Sequence, residues 1–286
     1  MPENLRTLRR KREIVGEIQQ ITRAMKLVSA AKLKRAMSWR QAVDAYHDEV
    51  ESALSLIAGH VPDLSHPWLA EREVARVGLL LVAGDKGLCG AFNANLVREA
   101  RQFVRESSVR VRTYTIGTRT AEMARRARLN VVREFPAIHE RERGADVQDV
   151  ARYVTAAYET GEVDRVVICY ARFLSRISNE PHIERLLPVQ IPAARPDPEL
   201  HIFEPDLDEL VEQLVPQYVT ARVFRALVSS AASEHSARLM AMTAATDNAE
   251  EMLEDLTRDI NRARQSEITR ELLDVVGGAD ALQRQR

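Results

Sequence analysis

The sequence predicts an α/β protein in which two long terminal helices form an antiparallel coiled coil around a central domain with a mostly parallel sheet. Three observations predict it. Residues 208–276 contain one proline, Pro216, and no glycine before the pair Gly277-Gly278. Residues 3–58 contain no proline and one glycine, Gly16. Between these stretches, from Val74 to Leu187, short apolar runs alternate with helix-forming segments.

At 1.5 Å per residue, the C-terminal stretch makes a helix roughly 100 Å long and the N-terminal one roughly 80 Å. Helices of that length must project from their domain or pair with another helix. Met242, Thr246, Ala249, Leu253, Leu256, Ile260 and Ala263 step by four and three, a coiled-coil seam with one polar member. On the first helix, Ile14, Ile18, Ile21, Met25 and Val28 carry the same rhythm. Ala36, Trp39, Val43, Tyr46, Val50, Ala53 and Ile57 resume it after a phase slip near Lys32, which predicts a stutter. The expected division is a coiled-coil helix over 1–60, an α/β domain over 70–205 and a second coiled-coil helix over 207–286.

In the middle, 74–82 is a near-continuous apolar run, as expected of a strand buried on both faces. The turn Gly84-Asp-Lys-Gly-Leu-Cys-Gly90 follows, with Asn93 or Asn95 as N-cap of a helix reaching Glu106. Strands are expected over 109–116, 130–133 and 163–170, helices over 118–128 and 145–160, and a pairing segment over 181–187. Strands alternating with helices describe a Rossmann-like α/β domain.

Composition excludes several classes. With 41 Lys and Arg against 42 Asp and Glu, no net charge steers the chain to nucleic acid. Cys89 and Cys169 are the two cysteines, too far apart in sequence for a CxxC zinc motif, and fit a reducing compartment. No apolar run approaches the roughly 20 residues of a membrane span. Residues 1–12 are basic but lack the apolar core of a secretory signal.

Four features are candidates for function, each with a structural alternative. The turn 84–90 lies between strand and helix, where phosphate sites form, but it has neither P-loop nor GxGxxG spacing, and its glycines equally suit a tight turn. Cys89 is a nucleophile if His139 or His182 approaches it in space, and otherwise a small buried thiol. The basic residues Arg6, Arg9, Arg10, Arg12, Lys32, Lys34 and Arg35 form a solvated face, or a collar for RNA, anionic lipid or an acidic protein. Arg264, Gln265 and Thr269 interrupt the apolar seam, through fraying or through contact with another protein.

Three blocks then resemble one family closely. They are Ile21-Thr-Arg-Ala-Met-Lys-Leu-Val-Ser-Ala-Ala-Lys-Leu33, Gly84-Asp-Lys-Gly-Leu-Cys-Gly-Ala-Phe-Asn-Ala-Asn95, and Met240-Ala-Met-Thr-Ala-Ala-Thr-Asp-Asn-Ala249 continued by Asn261-Arg-Ala-Arg-Gln-Ser-Glu-Ile-Thr-Arg-Glu271 and Gly277-Gly-Ala-Asp-Ala281. The chain is similar, end to end, to γ subunits of F-type ATP synthases. The resemblance implies a non-catalytic rotor shaft without cofactor or metal. Its partners would be the α and β subunits of the α3β3 head, the ε subunit and the ring of c subunits, with no nucleic acid and with membrane association only through the c-ring. It implies β-subunit contacts at Met25, Lys26, Arg264, Gln265 and Thr269, and c-ring or ε contacts at Phe203, Glu204 and Asp206. Thr243 stands where the family often has lysine, and residues 136–144 diverge. The chloroplast type's inserted cysteine pair is missing, so a bacterial enzyme at the cytoplasmic face of the plasma membrane is expected. Two rivals from other classes are a nucleotide-binding enzyme with a helical dimerisation stalk, and an RNA-binding coiled coil. Co-purification with α and β subunits, against nucleotide binding by the chain alone, separates them.

Overall fold

The structure, a computed structural model, describes residues 5–60, 65–138, 144–191 and 203–283. The chain runs α1 (Leu5–His60), β1 (Arg76–Val82), α2 (Phe92–Glu106), β2 (Arg110–Ile116), α3 (Thr118–Arg126), β3 (Val131–Phe135), α4 (Gly144–Glu159), β4 (Arg165–Phe173), β5 (Asn179–Leu187) and α5 (Leu207–Gln283). α5 does not stop at the glycine pair 277–278 but continues through it.

The strand order is β3-β2-β1-β4-β5, with β1 to β4 parallel and β5 antiparallel to β4. β1 is buried on both faces, which explains its apolar run. Leu80 and Val82 face a core shared with α4, α5 and the end of α1, where Val50, Leu54 and Ile57 lie. Val77, Leu79 and Leu81 face a second core closed by α2 and α3. The expected Asn cap of α2 is not observed. The N-cap position is Ala91, without a side-chain bond. Asn93 is instead buried and accepts the Gly84 N–H at 2.8 Å, fixing the turn before the helix.

The chain divides into two units, residues 29–238 and residues 1–28 with 239–286. In the first, Trp39 packs edge-on against Phe224 and, further along α1, the His47 ring lies against Tyr218, so the partner number falls as α1 advances and α1 and α5 run antiparallel. In the second, buried Thr22 and Thr246 meet at 3.0 Å. The α5 seam is as the spacing predicts: Met242, Thr246 and Ala249 are buried, and Leu253, Leu256, Ile260 and Ala263 half-buried.

The α1 seam differs. Ile14, Ile18, Ile21 and Val28 are 47, 47, 59 and 56 % exposed. The covered positions lie one residue later, at Val15, Gln19, Thr22, Lys26, Ser29 and Leu33. They continue in steps of three and four through Ala36, Arg40, Val43, His47, Val50, Leu54 and Ile57, so Tyr46 is exposed and His47 takes its place. The stutter near Lys32 therefore does not exist: one heptad register runs through. Apolar residues mark a seam only when the partner helix is the main cover, and here polar and small residues, Gln19, Thr22, Lys26 and Ser29, form its stretch between Val15 and Leu33. Close approach of helices favours small residues, and the hydroxyls of Thr22 and Thr246 bond to helix carbonyls at Gln19 and Met242.

Candidate functional site

The chemistry-bearing turn 84–90 sits at the carboxyl end of β1. The next strand but one in the chain, β3, ends on one side of β1, and the chain then crosses to β4 on the other. The gap between the ends of β1 and β4 is thus the switch point where open α/β sheets bind ligands. α5 fills it. Residues 226–236 are all buried, an unusual all-round burial for a helix. Ser230 Oγ donates to Val82 O at the end of β1 (3.0 Å), and Ser229 and Ser233 donate to Ala171 O of β4 (3.0 and 3.3 Å). The small side chains of Ser229, Ser230, Ala231, Ala232 and Ser233 let the helix lie directly on the strand ends.

The turn itself closes on the same helix. Glu234 and Arg238 form an ion pair with side chains 4 and 8 % exposed. Arg238 Nε donates to Gly87 O at 3.1 Å and Nη2 to Lys86 O at 3.2 Å. A Cβ on Gly84 would lie 2.7 Å from Glu234 Cδ and 2.9 Å from Asn93 Oδ1, so glycine is needed for the helix to approach. Asp85 Oδ1 accepts the Arg119 N–H at 3.0 Å and so caps α3, whose own N-cap, Gly117, has φ 96°. The Gly84 N–H, the Asp85 carboxylate and the carbonyls of Lys86 and Gly87 are thus all engaged within the protein itself.

Cys89 is a buried thiol, and burial pushes its pKa up, opposite to what a nucleophile needs. His182 does not approach it: Ile183 joins the core that holds Cys89, so His182 faces the other side of β5, over Tyr170. His139 lies outside the described residues. Among the described residues, His47, Asp48 and Glu51 bring three possible metal-ligand atoms within 4.8 Å. Arg225 Nη1 sits 3.4 Å from His47 Nδ1, so a guanidinium already supplies the cation there.

The remaining candidates are surface positions. Arg264, Gln265 and Thr269 are exposed, and Thr269 donates its hydroxyl to Gln265 O at 2.9 Å. Half-burial ends at Ala263; Glu267 and Arg270, where the seam would continue, are exposed. With Thr22 opposite Thr246, Leu5 falls opposite Ala263, so α5 outruns the described part of α1 from Arg264 onward. Met25 is half-buried and extends the exposed stripe of Ile14, Ile18 and Ile21, while Lys26 falls in the seam. Phe203 packs edge-on against His60 at the end of α1. Asp206 Oδ1 accepts the N–H groups of Asp208 (2.9 Å) and Glu209 (3.2 Å), making it the N-cap of α5, and Glu204 is exposed.

An "ATP synthase" family model matches residues 4–282. The ATP synthase γ chain of Desulfitobacterium hafniense is 39 % identical over 278 residues, covering 97 % of this chain and 99 % of its own length. That of Anaeromyxobacter sp. strain Fw109-5 is 39 % identical over 287 residues, covering 98 and 99 %. The chain belongs to the ATP synthase γ family.

The γ subunit is the non-catalytic central stalk, or rotor, of the F1Fo ATP synthase. Solved rotors share its fold. A chain in the Euglena gracilis mitochondrial ATP synthase rotor matches with TM-score 0.65 at 18 % identity, covering 92 % of this γ subunit and 98 % of that chain. A chain in the Tetrahymena thermophila central stalk and c-ring matches with TM-score 0.60 at 22 % identity, covering 79 and 99 %. No helix among the described residues of this γ subunit is long and apolar enough to cross a membrane. Sequence reasoning missed its largest polar device, the seating of α5 on the strand ends. The signal was present in residues 226–236, where no long polar side chain appears before Glu234 and no amphipathic face can be drawn.

Proposed function

We propose that the γ subunit turns inside the α3β3 head with α1 and α5 against the catalytic β subunits, and that its α/β domain rides with ε on the c-ring. Proton flow would turn ring and stalk, and the asymmetric stalk would shift each β subunit in turn among states of different nucleotide affinity. The observation that carries this is the exposed stripe Ile14, Ile18, Ile21 and Val28 with Met25 in line. A row of large apolar side chains on the outside of a helix pair calls for a protein cover. Lys26, half-buried in the seam but with a stem long enough to carry its ammonium out to the rim, and Arg264, Gln265 and Thr269 beyond the pairing, supply the polar contacts to β. Phe203, Glu204 and Asp206 supply those to the c-ring or ε. The γ subunit is then a peripheral protein at the cytoplasmic face of a bacterial plasma membrane, held through the ring, with its coiled-coil helices at 1–60 and 207–286 and its ring-bound domain at 70–205.

The test is ATP turnover per assembled head. A charge-assisted hydrogen bond from Arg264 to a β carboxylate contributes about 1.5–3 kcal/mol. If it forms in one rotor position only, β-state populations change by about tenfold or more. Arg264→Ala and Gln265→Ala are expected to slow turnover without blocking assembly. Thr269→Ala should do less, because its hydroxyl is already given to Gln265 O. Wild-type turnover in both strong variants removes the proposed contact.

A further inference from the structure

In an open α/β sheet the switch-point crevice is the natural ligand site, yet here it holds a helix of the same chain. Around residues 229–238 the ties to the sheet point in different directions. Ser229 and Ser233 reach the end of β4, Ser230 the end of β1, Ser236 donates to Arg176 O beyond β4, and Arg238 reaches Lys86 O and Gly87 O after β1. At 3.6 residues per turn these positions spread over about 200° around α5. Apolar contact alone is non-directional and would let a helix roll in its groove. Hydrogen bonds do not permit that. At about 5 Å from the helix axis, a roll of about 20° moves a polar head by about 1.7 Å, which breaks a bond of normal length.

We propose that this crevice is the torque joint of the γ subunit: Glu234 and Arg238 key α5 into the turn 84–90, so that the helix cannot turn about its own axis independently of the sheet. Arg238 is the key and Glu234 its counter-charge. Gly84 gives the close approach, and Asp85 and Asn93 hold the turn rigid by bonding Arg119 N and Gly84 N. Glu234 and Arg238 are positioning residues. The proposal rests on the placement of the α/β domain on the c-ring, since only then does load pass from the sheet into α5.

The experiment uses the complete enzyme in vesicles. The double variant Glu234→Gln with Arg238→Met removes both buried charges together and so leaves no orphan charge, yet it has no donor for the carbonyls of Lys86 and Gly87. Arg238→Lys keeps a cation with donors. The double variant is expected to assemble, to retain the c-ring and to hydrolyse ATP at the wild-type rate in the detached head. Protons pumped per ATP should match wild type when the gradient is small and fall at least threefold as the gradient builds, with Arg238→Lys recovering half or more of the loss. A role in folding alone would lower assembly or melting temperature and leave the pumping ratio at high gradient unchanged. The proposal is overturned if the double variant builds a wild-type gradient at the wild-type ratio, or if its defect is simply loss of the ring. Failure of the placement on the ring is distinct, because it would show as a wild-type γ subunit that does not hold the ring.

Discussion

Replacing Ile18 and Ile21 together by glutamine tests the register of α1 directly. Full burial of an isoleucine contributes about 1.5–3 kcal/mol. Ile18 is 47 % and Ile21 59 % exposed in the γ subunit alone, so the pair together buries about one isoleucine's worth of surface and should cost about 1.5–3 kcal/mol at most, less a few tenths for the better helix propensity of glutamine and less what the glutamine stems keep buried. Leu8, 5 % exposed on the same helix, should cost about 2–5 kcal/mol when cut to alanine. Thermal unfolding followed by circular dichroism, with hydrogen exchange over residues 8–28 and 240–263, reads both. The assembled enzyme should reverse the order. Where the head covers the stripe, the double glutamine variant loses the remaining half of each side chain's burial, about 1–1.5 kcal/mol per residue, and should be retained on α3β3 about tenfold or more weakly. If it melts as early as Leu8→Ala, the seam is at Ile14, Ile18 and Ile21 after all, and the exposed stripe is not a face for the head.

Three further outcomes are expected. Burial pushes the Asp164 carboxyl up, but bonds from the Arg76 side chain and from the N–H groups of Ala75 and Arg76 outweigh it and hold the pKa below the usual value. The resulting stability is present above the unfolded carboxylate pKa of about 3.9 and is lost as pH falls through the lower folded value. Asp164→Asn should therefore lower the melting temperature at neutral pH and flatten its acid dependence below about pH 4, and an unchanged acid slope would refute this. Gly84→Ala should destabilise by about 1–3 kcal/mol in urea unfolding, because the added methyl meets the buried Glu234 carboxyl, and a neutral result would mean the turn does not seat α5. At the N-terminus of α5, Asp206→Asn keeps a capping oxygen while removing the charge, whereas Asp206→Ala should cost about 1 kcal/mol in stability as well. Ring retention that falls equally in Asp206→Asn and Glu204→Gln supports a charge contact with the ring, while loss only in Asp206→Ala reduces Asp206 to a cap.

One-dimensional pattern carried the long elements, the central strand and one of the two seams. Two proline-poor terminal stretches specified two long helices. The buried run 74–82 specified a central strand, and the rhythm from Met242 to Ala263 specified the α5 seam. The family blocks identified a γ subunit, because long motifs in fixed order are specific whatever their geometry. Tertiary structure decided which face of α1 is the seam. The rule that apolar residues point inward holds only when the partner helix is the cover, and on α1 the isoleucines face outward while Gln19, Thr22 and Ser29 face α5. It also decided the fate of the strand-end crevice. Nothing in the spacing of Gly84 to Gly90 says whether its backbone will grip a phosphate or a helix some 150 residues further on. Only three-dimensional packing brings Ser230, Glu234 and Arg238 to that turn, and their hydrogen bonds fill the site where a ligand would otherwise bind.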